Sequence, residues 1–278
     1  MRVNDELLNN IKNKDFFLYN HFDDFLYMHN SFKHCVSKIS KPICNSETRI
    51  NDDESIAISK KIIEYINPNY ISTFNYIIDN KNIVFDSNSN GSRFTATDWS
   101  DKKTWKIIIE EKNNFNDVIS IIHEFMHYKN AIDGVSFNRD VFGEFISIYF
   151  EKQAEQFLID NSVCKAELGT NNRLFDTYEL LTIAFDEEKN YFSSTLDDIT
   201  LSNRVDAYFK HLFGLLLSEW TIKNNVDVSK IIYLNDNISK FEGIDNIFEY
   251  LGINNIKQLT DDAINIINDK MSNVIMIK

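Results

Sequence analysis

Asn116-Asp117-Val118-Ile119-Ser120-Ile121-Ile122-His123-Glu124-Phe125-Met126-His127-Tyr128-Lys129-Asn130-Ala131-Ile132 is the stretch on which the reading of this chain turns. Its apolar residues, Val118, Ile119, Ile121, Ile122, Phe125 and Met126, recur at the spacing of a helix with one buried side. Asn116 can cap the helix, Asp117 suits its positive end, and Gly134 is placed to end it. His123 and His127 are four residues apart, so they lie one above the other on one face and can both point at one ion. Glu124 lies about 100° further round the axis. From there it can reach a water on that ion without binding the ion itself. Two histidines at this spacing with an intervening glutamate are the pattern of a zinc site whose glutamate acts as general base. The plain alternative is a pair of solvent-facing histidines on an ordinary helix.

A catalytic zinc needs a third protein ligand. The run Asp140-Val141-Phe142-Gly143-Glu144-Phe145-Ile146-Ser147-Ile148-Tyr149-Phe150-Glu151 reads as a second helix, joined to the first by a short connection that suits antiparallel packing. Glu144 stands among apolar neighbours, where an uncompensated carboxylate is costly, and it is the candidate ligand. Gly143 beside it would let the two helix backbones approach closely. Glu151 shares the face of Glu144 and is placed to hold a ligating histidine from behind, although Lys152 and Glu155 suggest an exposed stretch there. For both glutamates the alternative is an exposed helical acid.

His123-Glu124-Phe125-Met126-His127, followed by Phe142-Gly143-Glu144-Phe145-Ile146-Ser147 and Phe150-Glu151, resembles the M3 family of oligopeptidases, which includes oligoendopeptidase F and thimet oligopeptidase. The resemblance is firm from His123 to Glu151 and looser over the rest of the C-terminal half. It implies a mainly α, gluzincin-type zinc-peptidase fold with a deep cleft, in a form reduced from the longer family members. It also implies that the third ligand is a glutamate in the position of Glu144, with a further glutamate at Glu151. Family members carry histidine and tyrosines on a late helix that hydrogen-bond the tetrahedral intermediate. The counterpart here is Asp206-Ala207-Tyr208-Phe209-Lys210-His211, so Tyr208 and His211 become candidate oxyanion donors. The family's fuller tyrosine cluster is not reproduced. A helix whose Tyr208 and His211 only cover the edge of the core is an equal alternative. By analogy with related gluzincins, the strand Trp105 to Glu110 could align an extended peptide by edge pairing.

Outward from this core, the 278 residues suit one catalytic domain, 1–278, with lobes at 1–80 (helical), 81–112 (a small sheet) and 113–278 (the helical zinc-site core). Ile83-Val84-Phe85, Arg93 to Thr97 and Trp105 to Ile109 are short β-rich segments around the turn Asn90-Gly91. Helical patterns fill 116–132, 139–161, 173–188, 202–224 and 257–271, and earlier Asp5 to Phe32 and Asp53 to Ile66, the latter ended by Pro68. Lys41 to Asp53 reads as a loop.

The net charge of −13 argues against nucleic acid and favours cationic ligands such as basic peptides. Three scattered cysteines make no disulfide framework, and no signal peptide or membrane-length apolar run is seen, so a cytoplasmic setting is expected. The function expected is a zinc-dependent metallopeptidase acting on oligopeptides or extended segments. Two alternatives stand beside it: an inactive zinc- or peptide-binding protein of the same fold, and a helical interaction protein with a chance motif.

Overall fold

The computed structural model describes residues 20–37, 49–89, 91–99, 102–133, 140–161, 198–241 and 243–275. The expected helix at 173–188, residues 5–19 of the first helical stretch, most of the 41–53 loop and Gly134 lie outside them. The described chain is mainly helical with one small sheet, as the periodicity predicts. In chain order the elements are α1 (Phe22–Val36), α2 (Asp52–Ile66), a 3-10 turn (Pro68–Tyr70), α3 (Ile71–Asp79), β1 (Ile83–Asp86), β2 (Arg93–Trp99) and β3 (Lys102–Glu110). There follow α4 (Phe115–Ile132), α5 (Asp140–Asp160), α6 (Asp198–Lys223), α7 (Val228–Asp236), a second 3-10 turn (Ile238–Lys240), α8 (Ile244–Leu251) and α9 (Ile256–Ile275). No described helix is long and apolar enough to cross a membrane.

The chain divides into two compact units. One comprises Met1–Pro42, Asn171–Val226 and Glu242–Lys278, and the other Ile43–Thr170 and Asp227–Phe241. The units are interleaved along the sequence and do not follow the contiguous lobes 1–80, 81–112 and 113–278. In the first unit α9 packs on α6 and α1. Phe25 meets Tyr208 and Phe209 edge-on, at centroid distances of 5.9 and 5.3 Å, and Phe213 stacks on Phe248. Lys270 pairs with the buried carboxylate of Glu219 at 2.5 Å.

The second unit carries the sheet and the two helices of the motif. Asn51 caps α2 with a reciprocal pair: its side chain accepts from the Glu54 N–H, and the Glu54 carboxylate accepts from the Asn51 N–H. The helix therefore starts one residue before the predicted Asp53, and Asn67-Pro68 ends it as expected. The sheet order is β1-β3-β2, with β1 parallel and β2 antiparallel to β3. Ile107 and Ile109 of β3 are fully buried, and β3 packs against α4. Because β3 is the central strand, Ile107 is paired with Ile83 on one side and Phe94 on the other. The expectation that Trp105 to Glu110 aligns a peptide by edge pairing meets a strand already paired throughout: Trp105 and Lys106 with β2, Ile107 and Ile108 with both neighbours, Ile109 and Glu110 with β1.

Candidate metal centre

The first helix of the motif is buried almost all round. Val118, Ile121, Ile122, Phe125 and Met126 are fully buried, and Phe125 lies edge-on to Phe74 at 5.3 Å. Removing an aromatic held this way costs about 3–5 kcal/mol, so α4 is anchored well enough to aim its polar residues. Its cap differs from the prediction. Asn114, not Asn116, is the N-cap, and its side chain accepts from the Asn116 N–H at 2.9 Å. Asp117 is buried and turns back to accept from the Lys112 and Asn113 N–H groups, at 3.0 and 2.8 Å. Burial pushes its carboxyl above the usual aspartate range, with the backbone N–H donors pulling the other way. At the far end the buried Lys129 pairs with Asp133 at 2.5 Å and Asp236 at 3.4 Å, and sits over the Tyr70 ring at 4.4 Å.

Helices α4 and α5 pack together, and the contacts run antiparallel: His123 meets Glu151, while His127 meets Ser147 and Glu144. Gly143 faces α4 at the His127 ring. A Cβ there would meet only the His127 ring, at 3.9 and 4.0 Å, which is ordinary contact.

Three side chains converge at the packed face. His123 Nε2 and His127 Nε2 are 3.1 Å apart. Glu144 places Oε2 at 3.7 Å from the former and Oε1 at 3.5 Å from the latter. One ligand atom from each of His123, His127 and Glu144 lies within 4.8 Å of the others. Atoms about 2.0–2.1 Å from a tetrahedral ion stand roughly 3.3–3.5 Å apart, so these spacings fit a zinc ion with little movement.

The donor chemistry fits as well. Glu151 Oε1 lies 2.5 Å from Nδ1 of His123. A carboxylate only accepts, so Nδ1 carries the proton and the lone pair of the neutral ring sits on Nε2, facing the cluster. Glu151 and Lys152 are both buried, so the exposed stretch suggested by Lys152 and Glu155 does not hold at those two residues. Glu124, next to His123 on α4, is also buried.

No protein-family model and no curated protein sequence matches this chain. Among solved structures, the crystal structure of a "putative oligoendopeptidase F" from Bacillus anthracis str. Ames resembles it over 98% of this chain, with a TM-score of 0.54 and 12% identity. The likeness is one of fold. This chain matches 57% of that chain's length.

The remaining predicted residues lie in the other unit. Tyr208 is fully buried on α6, with its ring edge-on to Phe25 and His29. Burial raises its phenol well above the usual tyrosine value, so it stays protonated. His211 Nδ1 lies 2.8 Å from the Ala207 carbonyl, which only accepts, so that nitrogen carries the proton. In the sequence Ser147 stands out only within the family resemblance. Its hydroxyl lies 3.3 Å from His127 Nε2. The one signal for that contact is its position on the face shared by Glu144 and Glu151.

Proposed function

We propose that this chain is a zinc-dependent peptidase of the M3 type, and that its substrates are oligopeptides or extended segments, basic ones being favoured by the net charge of −13. The observation that carries the proposal is the convergence of His123 Nε2, His127 Nε2 and the Glu144 carboxylate within 4.8 Å, with Glu151 holding His123 from behind. The fold shared with an oligoendopeptidase-like structure adds support. A zinc ion held by these residues would lower the pKa of a water toward neutrality and polarise a peptide carbonyl.

The chain's own residues divide the remaining work. Glu151 fixes the tautomer of His123 and thereby keeps its Nε2 lone pair available. Glu124 takes the proton of the attacking water and passes it to the leaving amine. The oxyanion donor is assigned to Tyr208 or His211. With Nδ1 committed to Ala207, His211 can donate from Nε2 only as an imidazolium. Tyr208 keeps its proton throughout the physiological range. Tyr208→Phe is therefore expected to lower turnover roughly 10- to 1000-fold with zinc content unchanged, as loss of an oxyanion donor does. Steady-state turnover with elemental analysis checks this, and unchanged turnover removes Tyr208 from the site.

A protein that binds zinc and peptide without turnover is the second reading, favoured by the enclosure of Tyr208. One experiment separates the two. Protein purified without chelator is expected to carry about one zinc per chain. Incubated with a mixed peptide library, it should give cleavage products by mass spectrometry, and a chelator should abolish them. Zinc without products selects the second reading. No metal, even after zinc is added, rejects both.

A further inference from the structure

The metal cluster is closed at one end and open at the other. The side chains of His123 and Glu151 are 8% and 3% exposed, those of His127 and Glu144 18% and 16%. Because α4 and α5 run antiparallel, the open end lies toward the C-terminus of α4 and the N-terminus of α5. Gly143 stands there, half-buried and without a side chain to close the space beside the His127 ring. A substrate therefore reaches the cluster from that end.

Asn130 is the next residue of α4 in that direction on the metal-bearing face. Seven residues after His123 and three after His127, it lies about 20° and 60° from them round the helix axis. It stands about 4.5 Å beyond His127 along that axis. An extended peptide advances about 3.3 Å per residue. Asn130 is thus level with a main-chain amide one or two residues from a bond held at the metal.

Asn130 is buried, and its side-chain carbonyl oxygen has no hydrogen-bond partner among the described residues. Asp117, His123 and Lys129 of the same helix are each paired. A buried acceptor left unmatched costs its full desolvation, and folded proteins keep few of them. Asn130 retains 8% exposure. The terminal torsion of an asparagine has a broad minimum, so its amide can turn to meet a group arriving beside it.

We propose that Asn130 binds the substrate main chain beside the scissile bond, its carbonyl oxygen accepting a peptide N–H. The inference rests on the peptidase reading above, to which it adds a substrate-binding residue and a direction of entry. The extended peptide comes in at the end marked by His127, Gly143 and Glu144, and its N–H supplies the partner that the folded chain leaves out. A contact to the main chain reads no side chain, so it contributes to affinity for peptides of any sequence.

The test uses the full-length, zinc-loaded protein and one peptide that it cleaves. That peptide is also made with each main-chain nitrogen within two residues of the scissile bond methylated in turn, which removes one N–H at a time. The parent is compared with Asn130→Leu, similar in size and without hydrogen-bonding groups, and with Asn130→Ala in case leucine does not fit. Each variant is expected to lower kcat/KM on the unmodified peptide about 10-fold, the loss of one hydrogen bond to a buried partner. Zinc affinity should stay parental. The thermal midpoint of Asn130→Leu should not fall, since an unmatched buried polar group has been removed. One methylated peptide should be cleaved about 10-fold less well than the unmodified one by the parent, and no less well by the variants. If the variants cleave the unmodified peptide at the parental rate, or discriminate among the methylated peptides as the parent does, the inference fails and the peptidase reading stands. Loss of zinc affinity in both variants makes Asn130 a support of the metal ligands and also overturns it. A parent that cleaves no peptide overturns both.

Discussion

Glu124→Gln is expected to lower peptide turnover roughly 100- to 10,000-fold, the share a positioned general base commonly supplies. The substitution keeps the size of the side chain and its place beside His123, and it removes only the ability to take a proton. Glu124 does not belong to the converging set of His123, His127 and Glu144. Zinc content and affinity should therefore stay near those of the parent. Turnover and elemental analysis on the same preparation check both halves. Cleavage at the parental rate would mean that another group takes the proton, and the hydrolytic mechanism proposed here would have to be abandoned.

Glu144→Ala is expected to behave in the opposite way, losing zinc and activity together. Its carboxylate oxygens face the two ring nitrogens at 3.5 and 3.7 Å, so the variant loses one of the three proposed ligands. The fall in affinity should exceed the roughly 10- to 100-fold expected from removing an outer partner such as Glu151. Glu151→Ala is the control for that comparison, since its carboxylate meets His123 at Nδ1, on the far side of the ring from the cluster. Dye competition for zinc, with turnover on the same samples, gives the ranking. If Glu144→Ala holds zinc as tightly as the parent, the third ligand is another residue.

Much of this arrangement is legible in the chain itself. The helices observed at Phe115–Ile132, Asp140–Asp160 and Ile256–Ile275 lie close to the predicted 116–132, 139–161 and 257–271. The reason is local: the apolar spacing that marks a helix also selects the face it buries. The spacing of His123 and His127 likewise fixes which face they share, whatever packs there. The shorter helices α3, α7 and α8 were not read from the sequence. Each spans only eight or nine residues, too few for periodicity to stand out from the loops beside them.

Tertiary structure decided what depends on distant partners. Lys129 has one partner nearby in sequence, Asp133, but its second, Asp236, lies 107 residues away, and no local pattern announces it. Asn114 rather than Asn116 is the cap because its side chain accepts from the Asn116 N–H, while Asp117 folds back onto Lys112 and Asn113 in the short link from β3. Strand order placed β3 between β1, which pairs with it over Ile107–Glu110, and β2, which pairs over Lys102–Ile108, since pairing across a sheet is set by which strands meet and not by their composition. Local residues thus determined the elements and the reach of each candidate ligand. The antiparallel register of α4 on α5 decided that Glu144 faces the two Nε2 atoms, Glu151 the Nδ1 of His123, and Ser147 the Nε2 of His127, because side chains on separate helices meet only where packing sets one turn against another.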